Sequence, residues 1–154
     1  MTDGENEWPI LVDGEIEITD SDDECYRNVH PVLISDGVVS SSAFMPTARD
    51  EGQLSTARST KVSAEQHYKE FSQSGHESAG VYAIKTEDIR DEGLRWIDNE
   101  SVQPESVYMT GHAYIDYRLY PKDKVRKRKA RSLARRAVRV YPNQDRGDEK
   151  DSER

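Results

Sequence analysis

The chain has 154 residues, of which 34% are hydrophobic and 34% charged, and carries a formal net charge of −8. This length favours one domain, and a core drawn from every residue would be thin. The acidic balance argues against the whole molecule being a polyanion binder, the single cysteine Cys25 excludes an internal disulfide framework and fits a reducing cytoplasm, and no apolar stretch reaches the length of a membrane helix. With no basic and apolar leader at the N-terminus, a cytoplasmic location is expected and a membrane partner is not.

Residues 1–25 hold ten acidic side chains and no Lys or Arg. Such a block repels itself and offers little apolar area to offset the cost of ordering, so it reads as an acidic extension. Within it, Trp8 to Thr19 contains two β-prone runs around Asp13-Gly14, a pair suited to a tight hairpin turn. A hairpin over 8–19 and a disordered tail are both open at this point. Val29 to Ile34 reads as a strand, placed at an edge or a strand start by Pro31, and Asp36-Gly37 as a hairpin turn leading into a return strand, Val38 to Phe44. A polar loop follows, and Leu54-Ser55 opens another extended segment.

Ser63 is an N-cap candidate for a helix, with Gln66 at the capping-box spacing and His67, Tyr68 and Phe71 forming an aromatic face. Gly80 to Lys85 is a buried-type strand. A short acidic turn, a strand near Leu94 to Ile97 and an irregular stretch containing Pro104 come next. His112 to Tyr117 alternates as a strand does. Residues 122–137 carry the strongest helical periodicity, with Ala130, Leu133, Ala134 and Ala137 on one face and Lys127, Arg128, Lys129, Arg131, Arg135 and Arg136 on the other. Val138 to Tyr141 can close the domain. The elements predict a small α+β domain over 26–141, with a mixed or antiparallel sheet and two main helices, and with 142–154 as a polar tail.

Arg27-x-x-His30-Pro31, Ser42-Ala43-Phe44-x-Pro46-Thr47, Leu54-Ser55 and His112-Ala113-x-Ile115-Asp116 form a dispersed pattern across this domain. The pattern resembles a group of small uncharacterised bacterial proteins. That resemblance implies the same order of elements, including a Lys/Ala-rich helix and a short apolar end, and implies no activity. The chain departs from the group in its acidic extension and in having no glycine between the last helix and the final apolar run.

The candidate chemistry lies in Arg27, His30, Ser55 and His112 as catalytic residues, with Ser42 as a binding residue. Arginine clamps phosphate or carboxylate, histidine moves protons near neutral pH, and serine hydrogen-bonds a ribose. Their order also resembles ADP-ribosyltransferase-like folds. By that resemblance Arg27 or His30 would hold a nicotinamide cofactor and Leu54-Ser55 would be the serine strand, but His112 or Asp116 stands where a glutamate is usual. Outside that resemblance no cofactor is expected. The plainer alternative is that Arg27 and His30 bond to neighbouring loops while the serines cap turns. The run Ser40-Ser41-Ser42 has no Gly-x-Ser-x-Gly context for a nucleophile elbow. The four histidines are 37, 9 and 36 residues apart, so no metal site is expected.

The basic helix is the other candidate. Between Lys122 and Arg139 there are ten Lys or Arg and one acid. Lys127, Arg128, Arg131 and Arg135 can dock on an acidic protein or track nucleic-acid phosphates, and the acidic extension is expected to screen them loosely. The leading expectation is therefore an accessory protein of a bacterium or archaeon that binds an acidic protein partner, or nucleic acid, through this helix. The rival is a small enzyme, ADP-ribosyltransferase-like or otherwise nucleotide-handling. The two are separated by geometry: convergence of Arg27, His30, Ser55 and His112 in one pocket favours the enzyme.

Overall fold

The computed structural model describes residues 7–104 and 108–142. In chain order these form β1 (Ile16–Glu17), β2 (Glu24–Val29), β3 (Ile34–Ser35), β4 (Val38–Val39), β5 (Gln53–Arg58), α1 (Ala64–Gln73), β6 (Gly80–Lys85), α2 (Thr86–Asp91), β7 (Arg95–Asp98), β8 (His112–Asp116), α3 (Asp123–Arg136) and β9 (Val138–Tyr141). Seven of the strands make one antiparallel sheet in the order β1-β7-β8-β5-β2-β6-β9, and β3 and β4 make a separate hairpin. The expected α+β class, with an antiparallel sheet and two main helices, is what the fold shows.

Alternation sorts the side chains onto two faces. Cys25, Leu54, Tyr82, Ile84, Trp96, Ala113 and Ile115 lie on one face and form the main core with Ala130 and Leu133 of α3 and Ile89 of α2. α1 packs on the other face, over β2, β6 and β9. The strand β6 has a near-continuous apolar run because five of its six residues are buried. Cys25 is buried in the main core, and that burial pushes its thiol up to about 12, so it stays neutral and unreactive at physiological pH.

Four local expectations are corrected. The strand expected at Val29 to Ile34 runs earlier, as β2, and Pro31 opens a 3-10 turn at Pro31–Leu33. Proline supplies the fixed φ for that turn and no N–H for a ladder. The return strand expected to Phe44 is only β4. Asp36 and Gly37 both take positive φ, 53° and 78°, as a two-residue hairpin requires, and the chain then turns again at Ser41–Phe44. There, Ser40 Oγ accepts from the Ser42 N–H at 3.1 Å, and this local bond competes with strand pairing. At 8–19 the Asp13-Gly14 turn forms, with the Glu15 N–H bonded to the Val12 carbonyl at 3.0 Å, but β1 pairs with β7 and not with the residues before the turn.

The fourth correction concerns the domain boundary. The sheet begins in the acidic segment, at Ile16 and not after Cys25. Ile18 is 4% exposed and Asp23 is 0% exposed. Asp23 accepts from Arg58 Nε at 2.6 Å and from the Thr60 N–H and hydroxyl, while Arg58 Nη1 reaches Asp98 at 2.5 Å. Upstream, Arg95 stacks on Trp8 and donates to the Pro9 carbonyl at 2.7 Å. The segment is ordered because its acids find buried or half-buried donors, which composition cannot reveal. The tail beyond 142 and residues 1–6 lie outside the described residues.

Candidate functional site

The pairing of β2 with β5 is short. Cys25 lies opposite Arg58 and Tyr26 opposite Ala57, and there the ladder stops. Continued, it would set Arg27 against Thr56 and Asn28 against Ser55. Instead the strands part, and Arg27 bridges the gap: its Nη1 donates to the Ser55 carbonyl at 2.7 Å and its Nε to the Ala43 carbonyl at 2.6 Å. A cavity of about 390 Å³ opens at this split. Arg27 and Asn28 of β2, Ser55 of β5 and His112 of β8 form one side. His67 and Phe71 of α1 and Ser74 at its C-cap form the other, and His76, Tyr108 and Met109 close the rim.

α1 is set over the sheet by its caps and by Asn28. Ser63 Oγ accepts from the Gln66 N–H at 3.1 Å, as its N-cap position predicts. The reciprocal arm of the capping box does not form, because Gln66 donates its side-chain amide to Glu70 instead, at 2.9 Å. Ser78 donates to Asn28 Oδ1 at 2.7 Å, and Asn28 Nδ2 donates to the His67 carbonyl at 3.5 Å. His67 is thereby carried into the cavity, 6% exposed, and its Nδ1 is buried with no partner among the described residues.

The shortest polar line in the cavity runs through His112. Its Nε2 is 2.6 Å from Ser55 Oγ and its Nδ1 is 2.6 Å from Asn99 Oδ1. An amide oxygen only accepts, so the proton sits on Nδ1, and Nε2 is left bare to accept the Ser55 hydroxyl. A hydroxyl, an imidazole and an amide thus stand in the order that hydroxyl activation uses. Arg27 adds a positive charge beside them. Burial pulls its guanidinium below its ordinary value, with Asp50 acting in the opposite sense, and it remains charged at neutral pH.

Both cavity imidazoles are pulled down to about 4, first by burial. Glu70 opposes this at His67, whereas the nearby His112 and Arg27 reinforce it. Both rings are therefore neutral at pH 7. Between about pH 6.5 and 4 the unfolded chain binds protons that the folded chain does not, so stability falls as the pH drops through that window. Each ring contributes up to about 3 kcal/mol of this loss. The melting temperature is expected to fall from pH 6.5 to 4, and to fall less steeply in His67→Gln. Parallel slopes for the two proteins would rule out His67 as a source of the effect.

Of the four residues expected to be catalytic, Arg27, Ser55 and His112 meet in the cavity and His30 does not. His30 is exposed, its Nδ1 caps the 3-10 turn by accepting from the Val32 N–H at 3.0 Å, and its Nε2 lies 3.2 Å from Glu77. Ser42 is exposed in its turn, away from the cavity. His67 and Asn99 were not singled out by sequence. His67 is indistinguishable from a core aromatic of an amphipathic helix, and Asn99 follows β7 with no motif around it. Lys127 and Arg128 are exposed on α3, while Arg131 and Arg135 line a second cleft.

The acids facing α3 are those of α2 and the residue after it. Arg136 lies 3.2 Å from Asp88, Ser132 donates to Glu92 at 2.5 Å, and Lys129 donates to the Glu92 carbonyl. Among the described residues no ion pair joins the acidic N-terminal segment to α3. Among them, too, no three His, Cys, Asp or Glu side chains are grouped to hold a metal ion, and no helix is long and apolar enough to cross a membrane. No family model, curated protein or solved structure matches the chain.

Proposed function

We propose that the split-sheet cavity is the active site of a small hydrolytic or group-transfer enzyme, with Ser55 as nucleophile, His112 as base and Asn99 as the group that orients it. The continuous Ser55–His112–Asn99 line, whose Ser55 and His112 line the cavity, carries this reading. In the first step Ser55 Oγ bonds to the acyl carbon of an ester and its proton passes to His112 Nε2. The imidazolium returns that proton to the departing alkoxide oxygen as the ester bond breaks. Water then repeats the sequence: His112 takes its proton, its oxygen attacks the acyl group, and Ser55 leaves with the proton restored.

The surroundings suggest the substrate. Arg27 favours an anionic group near the reacting centre, Phe71 and Met109 supply an apolar wall, and the unpartnered His67 Nδ1 offers one further hydrogen bond. A small acyl ester bearing a carboxylate or phosphate fits these features. A neutral Asn99 gives the imidazolium no counter-charge, so His112 is a weaker base than one oriented by a carboxylate.

A fluorophosphonate probe tests the assignment. One adduct per chain is expected, mapped to Ser55 and lost in His112→Ala. Release of nicotinamide from NAD without any adduct would instead favour the ADP-ribosyltransferase-like reading. That reading is supported by the parting of β2 and β5 with Arg27 and Ser55 on the two lips, and weakened because no carboxylate lines the cavity among the described residues. Docking of an acidic protein or nucleic acid on α3 is a separate reading, supported by the exposed row Lys124, Lys127, Arg128, Arg131 and Arg135.

A further inference from the structure

On the opposite face of the sheet, α3, β9 and the hairpin of β3 and β4 enclose a second cavity of about 510 Å³. Three arginines line it. Arg131 and Arg135 stand one helical turn apart on α3, and Arg139 stands on β9 in register with Tyr82. Ser41 adds a hydroxyl-bearing side chain to the lining.

Three other cations of α3 are already engaged: Arg126 donates to the Tyr120 carbonyl at 2.5 Å, Lys129 to the Glu92 carbonyl, and Arg136 to Asp88, while Lys124, Lys127 and Arg128 are exposed and do not line this cavity. The side chains of Arg131, Arg135 and Arg139 have no hydrogen bond or ion pair among the described residues. The Nε of Arg139 is also sealed from solvent with no acceptor. Three unpaired arginines on one cleft repel one another, and an anion bound between them would relieve that repulsion. No carboxylate is among the residues lining this cavity, so the local field is positive despite the net charge of −8.

We propose that this cleft binds a phosphate-bearing small molecule, with its phosphate oxygens on Arg131, Arg135 and Arg139. Three forked donors suit a group with several acceptor oxygens and up to two negative charges better than they suit a single carboxylate. The volume is in the range of small-ligand pockets and leaves room for an organic portion beside Tyr82. The site is independent of the Ser55 chemistry, since it occupies the other face of the sheet.

Calorimetric titration of the full chain with inorganic phosphate, AMP, succinate, a hexaglutamate peptide and a short DNA duplex tests the proposal. Phosphate or AMP is expected to bind about tenfold or more tightly than succinate, and Arg131→Gln and Arg139→Gln are each expected to weaken binding by about tenfold or more. Equal binding of phosphate and AMP identifies the phosphate group alone as the determinant, and tighter AMP adds a contribution from the organic portion. Arg136→Gln, whose partners are on and beside α2, should leave the affinity unchanged, as should Ser55→Ala. Circular dichroism melts of each variant separate lost binding from lost fold. If only the hexaglutamate or the duplex binds, if succinate matches phosphate, or if folded Arg139→Gln binds as well as the parent, the proposal is wrong.

Discussion

Ser55→Ala is expected to abolish probe labelling and to lower turnover of an activated anionic ester by roughly 10⁴-fold or more. His112→Ala should cost about as much, and the double variant little more than either single one, because nucleophile and base act as a unit. Asn99→Ala removes only the partner of Nδ1, so a smaller loss, on the order of 10- to 100-fold, is expected in kcat, with KM little changed. The pH profile gives a separate reading. His112 titrates at about 4, so the acid limb of kcat/KM should lie near that value instead of near 6.5. Asn99→Asp would set a carboxylate beside Nδ1 and should move the limb upward. Retention of more than a tenth of the activity by folded Ser55→Ala would remove Ser55 from the role of nucleophile.

The largest stability effect is expected at Arg58. Its guanidinium lies between Asp23 and Asp98, at 2.6 and 2.5 Å, and Asp23 is wholly buried. Arg58→Ala leaves Asp23 with hydroxyl and backbone donors but no cation, and takes the closest cation from Asp98, leaving Lys61 at 3.8 Å. Breaking one side of a buried pair typically costs about 3–5 kcal/mol. For a chain of this size that corresponds to a fall in melting temperature on the order of 10 °C. The double variant Asp23→Asn, Arg58→Met should recover part of the loss, since it removes charge and partner together. A melting temperature within 2 °C of the parent (about one kcal/mol or less) would mean that water replaces the guanidinium without penalty.

The sequence exposed the regular elements whose periodicity is set by one buried face. α1, β6, α3 and β9 are where alternation or the helical repeat places them, and Ser63 caps α1 as its spacing predicts. What was illegible depended on partners distant in sequence. The acidic segment has the composition of a disordered tail, yet Asp23 is fixed by Arg58 and Thr60, and Glu15 accepts from the Tyr114 hydroxyl at 2.9 Å. The site was half legible. Arg27, Ser55 and His112 stood out as polar residues in apolar surroundings. His30 stood out for the same reason and proved to be a turn cap, because local hydrogen bonding and catalysis draw on the same residue types. Asn99 and His67 enter only through the packing of β7 beside β8 and of α1 over β2.

The strand order has a consequence for how the chain folds. Of the six neighbouring pairs in the sheet, only β7 with β8 joins strands that follow one another in sequence. β1 must wait for β7, roughly 80 residues downstream, and β2 has no partner until β5 has been made. Loop-closure entropy must therefore be met before most of the pairing gains are realised, which places the chain among slow, high-contact-order folders. During synthesis the nascent N-terminal half presents unpaired strand edges, including the apolar end of β2. Like-charge repulsion among the ten acidic residues before position 26 opposes pairing of those waiting edges between neighbouring chains.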